Sequence, residues 1–277
     1  MNYRADEAIK EAKTLLDSKG VTHYNDTMFL LENVLGKRVS LLDNVVLSEE
    51  EYNSFMALVK RRAEHEPMDS LLGFTEFMGI DIPFSNATLS PRQETEIMVD
   101  NIIRENRGRT NLKVLDLCSG SGCIGLAVAK HLGADVTCVD ISSDALANAR
   151  ATAEKNNINV TFVESDLFEN VTGVYDIIIS NPPYIPTTDC NNLEKEVMDY
   201  DPLLALDGGV DGLDLVRRIC EDSINYLAPN GLIYMEYGIN QTDDIIALFE
   251  KNFDNIEIVK DYSGIDRYIK ARKRDLC

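Results

Sequence analysis

The chain of 277 residues contains no Cys-x-x-Cys pair and only three histidines, His23, His65 and His131, which stand far apart. That pattern excludes the usual zinc sites, and the six cysteines (Cys118, Cys123, Cys138, Cys190, Cys220 and Cys277) read as small reduced core residues rather than a disulfide framework. No metal is expected. No apolar run reaches the roughly 18 residues that a membrane helix requires, and the start Met1-Asn2-Tyr3-Arg4-Ala5-Asp6 lacks the apolar segment of a signal peptide, so a cytoplasmic protein is expected. Positive charge is scarce: 27 Lys and Arg against 47 Asp and Glu leave a net charge of −20. Binding a phosphate backbone depends on Lys and Arg displacing condensed counterions, which makes bare nucleic acid a poor partner. The local exception, Lys270-Ala271-Arg272-Lys273-Arg274, reads as a solvated basic tail.

The chain is long enough for one large domain and a small one. Apolar residues at Ala8, Ile9, Ala12, Leu15 and Leu16 have helical spacing, and Gly20 closes that segment. A second helix starts at Asn25 or Asp26 and stops at Gly36; a third opens on a Ser48-x-x-Glu51 capping box. Residues 1–66 are thus expected as a helical domain. Over 67–90 short apolar pieces with Gly73, Gly79 and Pro83 predict a β-hairpin linker. A helix begins after Ser90-Pro91 and opens the larger domain, 91–277.

Strand-like runs follow at 113–117, 135–140, 159–164, 175–180, 231–236, 256–261 and 267–271. They alternate with helical runs at 124–131, 143–156, 213–226 and 242–251. The alternation predicts an α/β fold with a doubly wound, mostly parallel sheet. The last two runs lie too close together for a crossover helix and should form an antiparallel hairpin at one edge.

Two stretches carry the chemistry. After the first of these strands, Asp116-Leu117-Cys118-Ser119-Gly120-Ser121-Gly122 forms a glycine-rich turn into a helix, where backbone can approach a ligand closely. The next strand ends in Asp140, placed to accept both hydroxyls of a ribose. The spacing Gly120-x-Gly122-x-x-Gly125 also satisfies the dinucleotide fingerprint, which keeps an NAD-dependent enzyme as a rival. Asp116 speaks against it, because a carboxylate there repels a pyrophosphate and suits the ammonium of S-adenosylmethionine. Asp166 is positioned for the adenine amino group, with Leu167 and Phe168 as apolar cover. The second stretch, Ser180-Asn181-Pro182-Pro183-Tyr184, leaves the sheet at the end of a β-branched strand. A Pro-Pro pair there could be a strand exit alone; with Asn181 it also presents a cluster of acceptors suited to an NH2 group, Asn181 Oδ1 and the neighbouring backbone carbonyls.

On these residues the sequence resembles the class I S-adenosylmethionine-dependent methyltransferases, and among them the release factor glutamine methyltransferases. The resemblance runs through Leu72-Gly73-x-x-x-Phe77-x-Gly79, Pro91-Arg92-x-x-Thr95-Glu96, the glycine loop and Asn181-Pro182-Pro183-Tyr184. It continues through Asp201-Pro202-x-x-Ala205-Leu206-x-Gly208-Gly209-x-Asp211-Gly212-Leu213, Glu236-x-Gly238-x-x-Gln241 and Gly264-x-Asp266-Arg267. Three positions depart from the family pattern: Cys118 for Gly, Gln93 for Pro and Asp201 for Glu. The resemblance implies a seven-stranded Rossmann-like methyltransferase with S-adenosylmethionine as donor and S-adenosylhomocysteine as product. The acceptor is the glutamine of the Gly-Gly-Gln loop of peptide chain release factors, and the N-terminal domain helps to hold that protein. Cofactor contacts are expected from Asp116, Cys118, Ser119, Gly120, Ser121, Gly122, Asp140, Asp166, Leu167 and Asn181. Asn181, Pro182, Pro183 and Tyr184 are expected to hold the glutamine, in a protein expected to be monomeric. The Asn-Pro-Pro-Tyr motif is shared with enzymes that methylate nucleobase amino groups, so that class stays open.

Overall fold

The computed structural model describes residues 2–21, 25–40 and 44–274; His23 and Cys277 lie outside them. By its contacts the chain forms two units, Met1–Phe74 with Lys195–Tyr200, and Thr75–Glu194 with Asp201–Cys277.

In the first unit a short strand β1 (Tyr3–Arg4) leads into helix α1 (Ala5–Ser18), whose Ala8, Ile9, Ala12 and Leu16 are buried together. Helix α2 (Asp26–Leu35) ends at Gly36 in the left-handed conformation, φ 62°. Strand β2 (Val46–Leu47) pairs antiparallel with β1. Helix α3 (Glu49–Ala63) carries the predicted capping box in both directions, Ser48 accepting from Glu51 N and Glu51 accepting from Ser48 N. Phe55, Val59 and Ala63 on its inner face meet Leu16, Leu30 and Leu47 in one core. A further turn of helix, α4 (Met68–Leu72), precedes Gly73. Arg62 is 7% exposed and donates to Asp26 (2.7 Å), to the Glu66 carbonyl (2.9 Å) and to Glu196 (2.8 Å), the last on the helix Lys195–Tyr200 that the later chain contributes. A buried guanidinium needs partners for this many donors, and here it has them.

The boundary falls within a hairpin of β3 (Phe74–Phe77) and β4 (Ile80–Pro83), the second unit starting at Thr75. Met78 and Gly79 between them both have positive φ, the requirement of a tight type I′ turn. Helix α5 (Gln93–Asn106) follows. Then come β5 (Lys113–Leu117), α6 (Cys123–Leu132), β6 (Asp135–Asp140), α7 (Ser143–Asn156), β7 (Thr161–Glu164) and β8 (Tyr175–Ser180). After α8 (Lys195–Tyr200), already met in the first unit, the chain continues through α9 (Asp214–Asp222), β9 (Leu227–Glu236), α10 (Thr242–Phe249), β10 (Phe253–Lys260) and β11 (Asp266–Lys273).

The sheet has seven strands in the order β10-β11-β9-β8-β5-β6-β7. Pairings from β9 through β7 are parallel, and β11 is antiparallel to both neighbours, the expected edge hairpin. Alternation along β8 sends Ile177 and Ile179 into one core with α5 and α6, and Ile178 into the other with α9 and α10. Full burial of each such side chain contributes roughly 1.5–3 kcal/mol. The helix expected over 213–226 stops at Asp222, because Tyr226 must turn onto the sheet, where its ring stacks on Phe168 at 4.6 Å and its carbonyl accepts from Tyr175 N. The basic run at 270–274 is not a solvated tail. Lys270 pairs with Glu105 and Glu257, Arg272 with Asp254, and Lys273 and Arg274 donate to backbone carbonyls, so edge pairing consumes the charge.

Candidate active site

Strand order reverses between β5 and β8, and a crevice opens at the carboxyl ends of the strands flanking such a point. A cavity of about 210 Å³ lies there, lined from the strand ends by Cys118, Asp140, Asp166 and Asn181. Its other walls come from Ala87–Arg92, from Pro202, Leu204 and Ala205, and from Leu215 and Arg218 of α9.

At the end of β5 the chain turns through Cys118, which takes φ 57° without being glycine. Burial pushes its thiol up to about 12, so it is an inert wall atom. Ser119 N donates to Val139 O, and Gly120 N to Asp140 Oδ2 at 2.8 Å. Gly120 has φ 52° and a Cβ there would meet no atom within 4 Å, so the space beside it is open. Gly125 is different: a Cβ would lie 2.6 Å from Cys138 Sγ and 2.9 Å from Asp116 Oδ2, so it lets α6 press against the sheet.

Asp116 is fully buried under this turn and does not reach the cavity wall, contrary to the direct ammonium contact expected from its position. Its Oδ2 accepts Gly125 N at 2.8 Å, at the start of α6. A dinucleotide pyrophosphate would use that helix start, and here the chain's own carboxyl occupies it. Its Oδ1 has no partner among the described residues, and burial pushes the group up to about 7. Asp140 accepts Gly120 N through one oxygen and Ser142 N through the other, and still has lone pairs free toward the cavity. Burial raises its pKa and those two N–H donors partly offset the rise. Asp166 Oδ1 is held at 2.9 Å by Arg218. Ser119, on the wall and 5% exposed, has a hydroxyl without a partner among the described residues. Open space at Gly120, an unpartnered hydroxyl and carboxylates at successive strand ends fit a polyhydroxylated cationic ligand such as S-adenosylmethionine. They do not fit a diphosphate.

On the other side β8 ends at Ser180, whose hydroxyl donates to Leu117 O at 3.0 Å. Asn181 is half-buried on the wall, and no group among the described residues hydrogen-bonds its side chain. Pro183 also lines the cavity; Pro182 and Tyr184 do not. Behind them, Gln241 donates to Tyr184 O at 3.0 Å while accepting from Gly238 N at 2.8 Å. The 206–212 segment lies against the same loop: Ile185 N donates to Leu206 O, and Gly208 N to Ile185 O. A Cβ at Gly208 would come 2.7 Å from Pro183 O and 2.8 Å from the Tyr184 Cα. The recurring glycines and Gln241 are therefore supports for the backbone of Asn181-Pro182-Pro183-Tyr184.

Of the other expected contacts, Ser121 and Leu167 are on the wall, and Gly122 is behind it, with Ala149 in the way of any Cβ. Phe168 stacks on Tyr226, away from the cavity. Asp201 is no free substrate contact: it pairs with Arg92 at 2.5 Å and joins two walls. Arg218 had no signal in the sequence, since only its face of α9 distinguishes it from Arg217, which pairs with Asp211 and Asp214.

Residues 7–73 match the family model described as the PrmC N-terminal domain, and residues 84–199 that of the Methyltransferase small domain. A release factor glutamine methyltransferase of Geobacter sulfurreducens is 40% identical over 93% of this chain and 92% of its own. One of Agrobacterium fabrum is 38% identical over 90% of each. Among solved structures, a methyltransferase from Pyrococcus furiosus is similar with a TM-score of 0.53 at 17% identity, covering 70% of this chain and 89% of that one. That likeness concerns the fold.

Proposed function

Since the chain belongs to the release factor glutamine methyltransferase family, we propose that it transfers a methyl group from S-adenosylmethionine to the side-chain nitrogen of the glutamine in the Gly-Gly-Gln loop of peptide chain release factors. The observation that carries this reading is the placement of the Asn181 side chain, without a hydrogen-bond partner among the described residues, on the same cavity as Asp140 and Asp166. The bound donor supplies an electrophilic methyl group; the remaining work falls to the chain.

Asp140 takes the ribose hydroxyls with the lone pairs that Gly120 and Ser142 leave free. Asp166, one oxygen held by Arg218, offers the other to the adenine amino group, and Leu167 covers the ring. Ser119 and the open face of Gly120 take the amino-acid end. Asp116 acts from behind the wall as a buried negative charge once a cation is bound, without touching it.

An amide nitrogen is a weak nucleophile, because its lone pair is delocalised with the same resonance that gives a rotation barrier of about 18–20 kcal/mol. Asn181 Oδ1 accepts one of the two N–H groups and turns the lone pair toward the methyl. The Pro182 carbonyl, expected to take the other, does not reach the cavity wall. Orientation of this kind supplies on the order of 7–11 kcal/mol. Tyr184 stays neutral, since burial raises its hydroxyl to about 12, and stiffens the loop from behind. The N-terminal unit recognises the release factor, the enzyme works in the cytoplasm as a monomer, and nucleic acid is not its acceptor.

The test is methyl transfer to purified release factor, with mass spectrometry to locate the label. Label on the Gly-Gly-Gln glutamine is expected; label on nucleic acid alone would overturn the reading.

A further inference from the structure

Glu236 has no part in the scheme above, yet it is a carboxyl group 4% exposed at the carboxyl edge of the sheet. Its place follows from register. Ser180 of β8 pairs with Met235 of β9, so the next residues, Asn181 and Glu236, leave their strands side by side. Helix α5 delivers a third group to the same spot: Thr95 Oγ1 donates to Glu236 Oε2 at 2.8 Å, and Thr95 is itself on the cavity wall with Asn181. A threonine hydroxyl has one hydrogen and two lone pairs. With its hydrogen committed to a carboxylate, Thr95 can show only lone pairs to the cavity, and it is therefore an acceptor for N–H.

We propose that Thr95 and Glu236 form the exit path for the proton that the glutamine nitrogen loses on methylation. The inference rests on the reading of the site as a glutamine methyltransferase. As nitrogen forms its bond to the methyl carbon, the electron pair of the broken carbon–sulfur bond stays on sulfur and nitrogen carries a surplus proton. That proton passes to Thr95 Oγ1 while the hydroxyl's own proton passes to Glu236 Oε2. Thr95 ends as it began, Glu236 ends neutral, and the amide is neutral. Asn181 orients the nitrogen; Glu236, acting through Thr95, is a positioning residue and proton store.

The surroundings suit the role. Burial pushes Glu236 up to about 7, against the Thr95 hydrogen bond and the positive Arg267 of β11, while Glu94 of α5 adds to the rise. The other ionisable neighbours, the Cys123 thiol of α6 and the Tyr184 hydroxyl, are both raised to about 12 by burial and stay neutral. Below about pH 7 a protonated Glu236 can donate to Thr95, which turns the hydroxyl's hydrogen outward against the substrate N–H. The transfer step should then slow with falling pH. Asp116 titrates in the same range, but it faces the donor side, so its effect is read in cofactor affinity and removed by saturation.

The experiment is single-turnover transfer to intact release factor under saturating cofactor, followed from about pH 5.5 to 9, with mass spectrometry of the product. The wild-type rate should fall about tenfold per unit below about pH 7. Glu236→Gln should lower the rate on the order of 100-fold and flatten the profile, as should the nearly isosteric Thr95→Val. Thr95→Ser, which keeps the hydroxyl, should stay within about threefold of wild type, and S-adenosylhomocysteine should bind all four proteins alike by calorimetry. A Thr95→Val protein at the wild-type rate, or a Glu236→Gln protein that keeps the acid limb, would refute the path while leaving glutamine methylation standing. If Glu236→Gln fails to fold, the wild-type profile decides, since a rate independent of pH also refutes it. Absence of label on glutamine in the wild type would instead remove the reading on which the path rests.

Discussion

On the cofactor side of the cavity, side-chain carboxyls hold the backbone: Asp140 fixes Gly120 N and Ser142 N, and Asp116 fixes Gly125 N. On the acceptor side the dependence runs the other way. The loop from Asn181 to Tyr184 is kept in place by Gln241 on the Tyr184 carbonyl, by glycines whose missing side chains leave room for it, and by the backbone bonds that Ile185 and Thr187, just after it, make with 206–209. The first arrangement lets a group bind ligand and shape the turn at once, so its mutations should show in affinity. The second leaves the Asn181 side chain without a hydrogen-bond partner among the described residues, so its mutations should show in the chemical step.

The comparison can be broken by four substitutions. Asn181→Ala should lower kcat on the order of 100- to 1000-fold, with S-adenosylhomocysteine affinity by calorimetry within about twofold. A large loss of affinity would show that the two sides are not separate. Gly208→Ala forces a methyl against the Pro183 carbonyl, which should cost about 1–3 kcal/mol in denaturant unfolding and reduce kcat, again with little change in affinity. Asp140→Asn keeps the size but loses the charge and one of the two oxygens that accept from Gly120 N and Ser142 N; affinity should weaken by at least about tenfold, near 1.4 kcal/mol, with kcat at saturation nearly unchanged. The smallest effect is expected from Cys118→Gly. A side chain in the left-handed region costs about 1–2 kcal/mol, and glycine returns about 0.5–1 of that in backbone entropy, so a gain below about 1 kcal/mol should appear as a slightly raised Tm.

The fold was legible in the sequence where periodicity and turn chemistry agree. The run 175–179 could only be a buried strand, the Ser48 and Glu51 pair could only open a helix, and the short gap before 266–273 left no room for a crossover. That Asp140, Asp166 and Asn181 reach the cavity wall was legible for the same reason, because a strand end also locates the side chain that follows it. What was not legible depends on packing between distant segments. Nothing local tells that Asp116 is covered while Asp140 is open, that Phe168 turns to Tyr226, or that Asp201 is spent on Arg92. Nor does the pattern around Gly208 and Gln241 say that these residues serve a loop about 25 to 60 positions earlier, since only the folded sheet brings them behind it.

The helix Lys195–Tyr200 bears on how the gene can be cut. Its Glu196 is one of two carboxylates on the buried Arg62, so the first 74 residues expressed alone would carry a guanidinium whose second carboxylate is encoded some 130 codons downstream. A fragment ending at Phe74 is therefore not a detachable module, and transplanting it onto another methyltransferase would require carrying the six-residue helix along, spliced into the recipient between its acceptor loop and the segment that supports that loop.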